Sequence, residues 1–242
     1  MGIFLIALIS FLFRFIFILS GASDDYVHFW NIKLRQKIGN PWGHQVPDSL
    51  IEGKRGYPAL THYIVSLFPR SYWGVAGRLL NIVYDCVSVI MVYFLARILF
   101  EMYFNAVQFD TIITPQLLVA LLVATSPILM PVTARMTSIG GRSFCLFLSL
   151  LYFSFLGYGF LYNVVWGIIV CVPVGILIVM SSQFAFQNLI FLSLILGVLY
   201  LNPLPILILV LMAIICWFVP QLGIRDILRF KYEHMKWYRR NY

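Results

Sequence analysis

Charged residues are scarce in this chain: 17 Lys and Arg with nine Asp and Glu make up 11% of 242 residues, against about 25% in ordinary soluble domains. So few ionic groups cannot cover a soluble surface. With 62% hydrophobic residues and a mean hydropathy of +0.91, the sequence reads as that of a protein housed in a bilayer. Cysteine is sparse as well. Cys86, Cys145, Cys171 and Cys216 lie far apart inside apolar runs, which excludes a disulfide framework or a metal knuckle and leaves them as small packing residues. The net charge of +8 comes with no RNA- or DNA-binding pattern, so no nucleic-acid partner is expected. There is no internal repeat and no low-complexity tract. Met1-Gly2-Ile3 lacks the cationic start of a signal peptide, so the first apolar segment reads as a retained membrane helix.

What is present is a succession of apolar segments. A crossing needs roughly 20 residues at about 1.5 Å each, and residues 2–20, 78–104, 115–134 and 143–162 meet that length. The apolar stretch 164–219 divides at Ser181-Ser182-Gln183 and at Asn202-Pro203 into three shorter crossings. Pro127 and Pro131 are expected to bend the later half of the third crossing. The predicted fold is all-α integral membrane, with about seven transmembrane helices in a single polytopic domain over residues 1–222. A tail over 223–242 places Ile224, Ile227, Leu228, Met235 and Tyr238 near one face, away from Arg229, Lys236 and Arg240. It reads as a basic interfacial helix.

The first loop, residues 21–77, is the only large polar segment, and Gly and Pro punctuate it. Asp24, His28, Asn31 and Arg35 recur at helical spacing on one face, with Val27, Trp30, Leu34 and Ile38 on an adjoining one. Pro58 opens a second helical pattern that carries Leu60, Tyr63, Ile64, Leu67 and Phe68 before Pro69 stops it. Two interfacial helices are expected, joined by an irregular turn with Asp48, Glu52, Lys54 and Arg55. Trp30, Trp42, Tyr72 and Trp73 read as belt aromatics.

Deep in the apolar segments stand two ionisable residues. A carboxylate inside a membrane helix costs about 2.5–3.5 kcal/mol unless paired. Arg14 lies about six residues and Asp85 about seven from the loop ends of their helices, so at about 1.5 Å per residue their depths match. A structural ion pair is the expectation.

The chemistry of the loop turns on Asp24 and Asp25. An interfacial carboxylate can take the proton of an acceptor hydroxyl as that oxygen attacks a sugar carbon. A departing phosphate needs positive charge where negative charge develops. Arg135 and Arg142 flank a short loop returning to the same face, and Lys54, Arg55, Tyr57, His28 and His62 are further candidates for binding substrate or phosphate. Each has a plainer reading. Aspartate favours helix N-termini as a cap, the histidines serve as interfacial hydrogen-bonders, and the cations meet lipid headgroups.

One membrane helix, an acidic pair just beyond it, two interfacial helices with Gly56-Tyr57-Pro58, Leu60 and His62, and a later loop with arginines together resemble the GT-C superfamily of membrane glycosyltransferases. The pattern is similar to protein mannosyltransferases and aminoarabinose transferases, and covers about the first 160 residues. The resemblance implies a seven-helix module, a first loop outside the cytoplasm, a catalytic carboxylate at Asp24 or Asp25, and a polyprenyl-phosphate-linked sugar whose phosphate Arg135 or Arg142 holds. A bacterial or archaeal plasma membrane is the expected location, with membrane lipids as neighbours. Some members use a divalent metal at the acidic motif. No third ligand accompanies it here, so no cofactor is expected and a divalent metal stays the alternative. The chain departs from the family in ending soon after its seventh apolar segment, which leaves a minimal enzyme, a partner subunit supplying the missing C-terminal elements, or a fold without activity. The positive-inside rule, which would put the basic first loop in the cytoplasm, conflicts with the family topology. The competing class is a non-catalytic membrane subunit of a transporter, lipid flippase or assembly complex.

Overall fold

The computed structural model describes residues 2–16, 25–39, 60–103, 114–125, 139 and 141–222, together with 225, 232, 233, 236, 239 and 240. Among these residues the secondary structure is helical, without strands. The helices are α1 (Gly2–Phe15), α2 (Asp25–Ile38), α3 (Leu60–Ser66), α4 (Trp73–Tyr103), α5 (Pro115–Thr125), α6 (Arg142–Leu161), α7 (Val164–Ser181), α8 (Gln183–Leu199) and α9 (Leu204–Phe218), with 3-10 turns at Arg70–Tyr72 and Pro220–Leu222. Three of the described helices, Arg70–Phe100, Arg142–Leu161 and Val164–Ser181, are long and apolar enough to cross a membrane; the apolar stretches Gly2–Phe15, Pro115–Thr125, Ala185–Leu199 and Leu204–Phe218 are shorter. This is an all-α membrane protein.

Polar residues place the helix breaks in the second half. Asn163 accepts hydrogen bonds from Val165 N at 3.0 Å and Trp166 N at 3.3 Å, so one side chain satisfies two of the orphan amides that open α7. Ser182 N donates to Ile178 O at the end of α7 while its Oγ accepts from Ala185 N to start α8. Asn202 Oδ1 accepts from Leu204 N at 2.9 Å. The end of α8 closes with Asn202 N donating to Gly197 O and Leu201 N to Val198 O, the paired bonds of a Schellman motif. Its left-handed position is held by Leu201, at φ +46°, where glycine is usual.

The described residues cluster into two units, Met1–Trp30 with Phe68–Leu150 and Asn31–Leu67 with Leu151–Tyr242. In the first, α1, α4 and α5 pack together around Ile6, Val89, Ala120 and Ala124, and Tyr84 of α4 meets Phe144 of α6 tilted and stacks on Phe147. In the second, α7, α8 and α9 pack together and α3 lies on α7. Small residues permit this closeness: a Cβ on Gly159 would stand 3.0 Å from Gly167 Cα. Lipid tails give apolar faces no reason to segregate from one another, so close van der Waals contact carries the packing.

Candidate functional site

Along α4 one helical stripe, Gly74, Gly77, Asn81, Asp85 and Ser88, organises the first unit. At its upper end a Cβ on Gly74 would stand 3.5 Å from Phe29 Cζ, so the ring in the first turns of α2 lies over this glycine. A Cβ on Gly77 would overlap Ile139 Cγ2, and Ile139 is buried. These two contacts hold the start of α2, which opens at Asp25, and the residue three before Arg142 against the same short segment of α4. Arg142 opens α6 and is exposed.

Lower on the stripe is the ion pair that matched depths predict. Arg14 Nε donates to Asp85 Oδ2 at 2.6 Å, with the two side chains 1% and 4% exposed. The guanidinium also donates through Nη1 to Ser10 O at 3.1 Å and to Ala124 O at 2.7 Å, and through Nη2 to Val123 O at 3.3 Å. The sequence gives a reason for a donor to reach Val123 O. Its helical partner would be residue 127, and Pro127 has no amide hydrogen. Arginine's planar fork suits this task, since it can meet a carboxylate and two carbonyls at once. Asp85 Oδ1 makes no hydrogen bond among the described residues. The depth argument identified the two charges but not the third helix, although the four-residue step from Val123 to Pro127 is legible in the sequence.

The polar face expected on α2 is turned inward. His28, Asn31 and Arg35 are 6%, 4% and 3% exposed beside the fully buried Ile32, while Tyr26, Trp30, Lys33, Gln36 and Lys37 are exposed. In α3, Thr61, His62, Val65 and Ser66 are buried, and Leu67 and Phe68 just beyond it are exposed. Ser66 Oγ donates to Tyr63 O at 2.7 Å at the end of α3, and Trp73 Nε1 to Phe68 O at 2.9 Å at the start of α4. Burial of Asn31 and Arg35 makes them candidates alongside His28, a rank that helical spacing alone did not give them.

Of the other expected site residues, Asp24, Lys54, Arg55, Tyr57 and Arg135 lie outside the described residues, as does most of the tail. Among the described residues no group of three His, Cys, Asp or Glu side chains could hold a metal ion. In comparisons with known proteins, no family model, no curated protein and no solved structure matches the chain.

Proposed function

We propose that the chain is a membrane glycosyltransferase of GT-C type, with about seven crossings and a first loop on the extracytoplasmic side of a bacterial or archaeal plasma membrane. It moves a sugar from a polyprenyl-phosphate donor to a hydroxyl or amine. In this reading the acceptor atom attacks the anomeric carbon and the bond from that carbon to the phosphate oxygen breaks. Polyprenyl phosphate leaves, and Asp24 or Asp25 takes the acceptor's proton, with inversion at carbon. Arg135 or Arg142 receives the charge that develops on the phosphate.

The observation that supports the reading most is the clasp on α4. Phe29 over Gly74 and Ile139 against Gly77 bring the first turns of α2 and the residue three before Arg142 to one end of one helix. The inward polar face of α2 adds a histidine, an asparagine and an arginine held out of solvent soon after the acidic doublet. A transport pathway, the competing class, gains no support from α4, whose deep carboxylate is engaged by Arg14.

The experiment compares Asp24→Asn, Asp25→Asn and the double variant, purified in detergent and supplied with labelled polyprenyl-phosphate sugars. Loss of the base should lower turnover by about 10²- to 10⁴-fold. Full transfer by the double variant would overturn the assignment. A cysteine-labelling reporter at Asn40 reads the loop's side of the membrane, and a cytoplasmic result would count against the family reading.

A further inference from the structure

In the second unit α7, α8 and α9 leave a cavity of about 370 Å³ whose walls include Val179, Leu194, Ile206, Val210, Ala213 and Trp217. Every lining residue is apolar, and Leu194, Ile206, Val210 and Trp217 are each about two-fifths to one-half exposed. The cavity is thus a slot that opens on the face a bilayer would cover, and it offers water no hydrogen-bonding partner. From Ile206 to Trp217 the α9 wall is about 16 Å long by helical rise, close to the ~15 Å of one leaflet's hydrocarbon. At the Trp217 end stands a cation. The Arg225 guanidinium lies 4.1 Å over the Trp217 ring and donates from Nη2 to Trp217 O at 3.1 Å. Arg225 is exposed, and the fork keeps further N–H donors for an anion. Lys236, Arg239 and Arg240 are exposed in the chain that follows.

We propose that this slot binds one acyl chain of an anionic bilayer phospholipid, with the lipid phosphate beside Arg225. The dry slot matches the tail in length and chemistry, and a cation stacked on an interfacial tryptophan matches the headgroup in charge and depth. The slot uses none of the residues proposed for sugar transfer and does not depend on that function.

The test places the full chain in phosphatidylcholine vesicles containing phosphatidylglycerol or phosphatidylcholine with brominated acyl chains. Quenching at the slot is the part of the tryptophan signal lost in Trp217→Phe. Brominated phosphatidylglycerol should quench it at about fivefold lower mole fraction than brominated phosphatidylcholine, the ratio expected for one surface cation. Arg225→Gln should abolish that preference. Ala213→Phe or the slimmer Ala213→Met, both at an exposed wall position, should reduce quenching by either lipid while far-ultraviolet dichroism stays unchanged. Equal quenching by the two lipids, or a preference that survives Arg225→Gln, would overturn the proposal. So would quenching that persists in both Ala213 variants. Displacement by polyprenyl phosphate but not by unlabelled phosphatidylglycerol would assign the slot to an isoprenoid chain instead.

Discussion

Removing Arg14 should injure the protein more than removing Asp85, because the arginine serves three helices and the aspartate two. In Arg14→Met the carboxylate of Asp85 loses its cation inside unit one, a type of loss that costs about 3–5 kcal/mol. The carbonyls of Val123 and Ala124 lose their donor as well, and an unsatisfied buried acceptor costs about 1–3 kcal/mol. These costs overlap where neighbours relax, so a loss of ~4–6 kcal/mol is expected. Asp85→Asn leaves the guanidinium with three carbonyl acceptors to share its charge, and should lose about half as much, ~2–3 kcal/mol. The paired variant Arg14→Met with Asp85→Asn removes both charges and should retain mainly the carbonyl cost, ~1–3 kcal/mol. The coupling between the two sites should then exceed about 2 kcal/mol. Reversible unfolding in mixed micelles, followed by tryptophan fluorescence against denaturing detergent, measures all four members of the cycle. A loss below about 1 kcal/mol in Arg14→Met, or a paired variant whose loss equals the sum of the singles, would refute the reasoning. Arg14→Lys adds a control: an ammonium can reach Asp85 but lacks the fork, so ~1–2 kcal/mol should still be lost.

Three further outcomes follow from the packing. Gly77→Ala pushes a methyl group into Ile139 and should cost about 1–3 kcal/mol as overpacking, with most of it regained when Ile139→Ala is added; thermal unfolding in detergent measures both. Gly159→Val and Gly167→Val should each destabilise by at least ~1–3 kcal/mol, because the atom facing the new side chain is backbone Cα, at 3.0 and 2.9 Å from the added Cβ, and cannot rotate away. Leu201→Gly should instead raise stability by about 0.5–1 kcal/mol, the relief of a left-handed leucine offset in part by a more flexible unfolded chain; an unchanged or lower midpoint would mean that φ +46° at this position carries no strain.

Much of the fold was legible because the sequence is so uniformly apolar that each polar interruption carries weight. Asn163, Ser182 and Asn202 stand where chain breaks are needed: the first two cap the helices that follow, and Asn202 accepts from the Leu204 amide beside Pro203. Arg14 and Asp85 were legible for the same reason: two isolated charges at matching depth have few alternatives to each other. The α5 carbonyls were harder to foresee, since a backbone acceptor leaves no mark in composition, and only Pro127, which has no amide hydrogen, marks a break in the ordinary helical ladder. Ile139 was invisible. An isoleucine in a short polar loop is unremarked until a glycine on another helix supplies the gap it fills. For the candidate site the limit is of another kind: helical spacing put Asp24, His28, Asn31 and Arg35 on a common face, but spacing cannot decide whether such a face meets solvent or protein.

That decision has a physical basis here. In a soluble protein the apolar stripe of an amphipathic helix turns inward because water drives it there. Within a bilayer that drive is absent between helices, and polar groups without partners are what cost most. The helices of this chain follow the second rule. In α1, Ser10 and Arg14 are buried while Phe4, Leu5, Leu8 and Leu12 are exposed; in α4, Asn81, Asp85 and Ser88 are buried while Leu79, Val83 and Val87 are exposed. Arg14 and Asp85 answer one another across a tight three-helix contact, and Ser88 bonds Tyr84 O of its own helix. In α2 the same inversion occurs, with His28, Asn31 and Arg35 inside and Tyr26 and Trp30 outside, but this segment is polar enough to have lain in the interface with that face toward water. Burying it costs desolvation that a solvated helix avoids, including that of a guanidinium. The inward turn of His28, Asn31 and Arg35 is therefore set by the interactions those residues make inside the protein, which helical spacing does not encode.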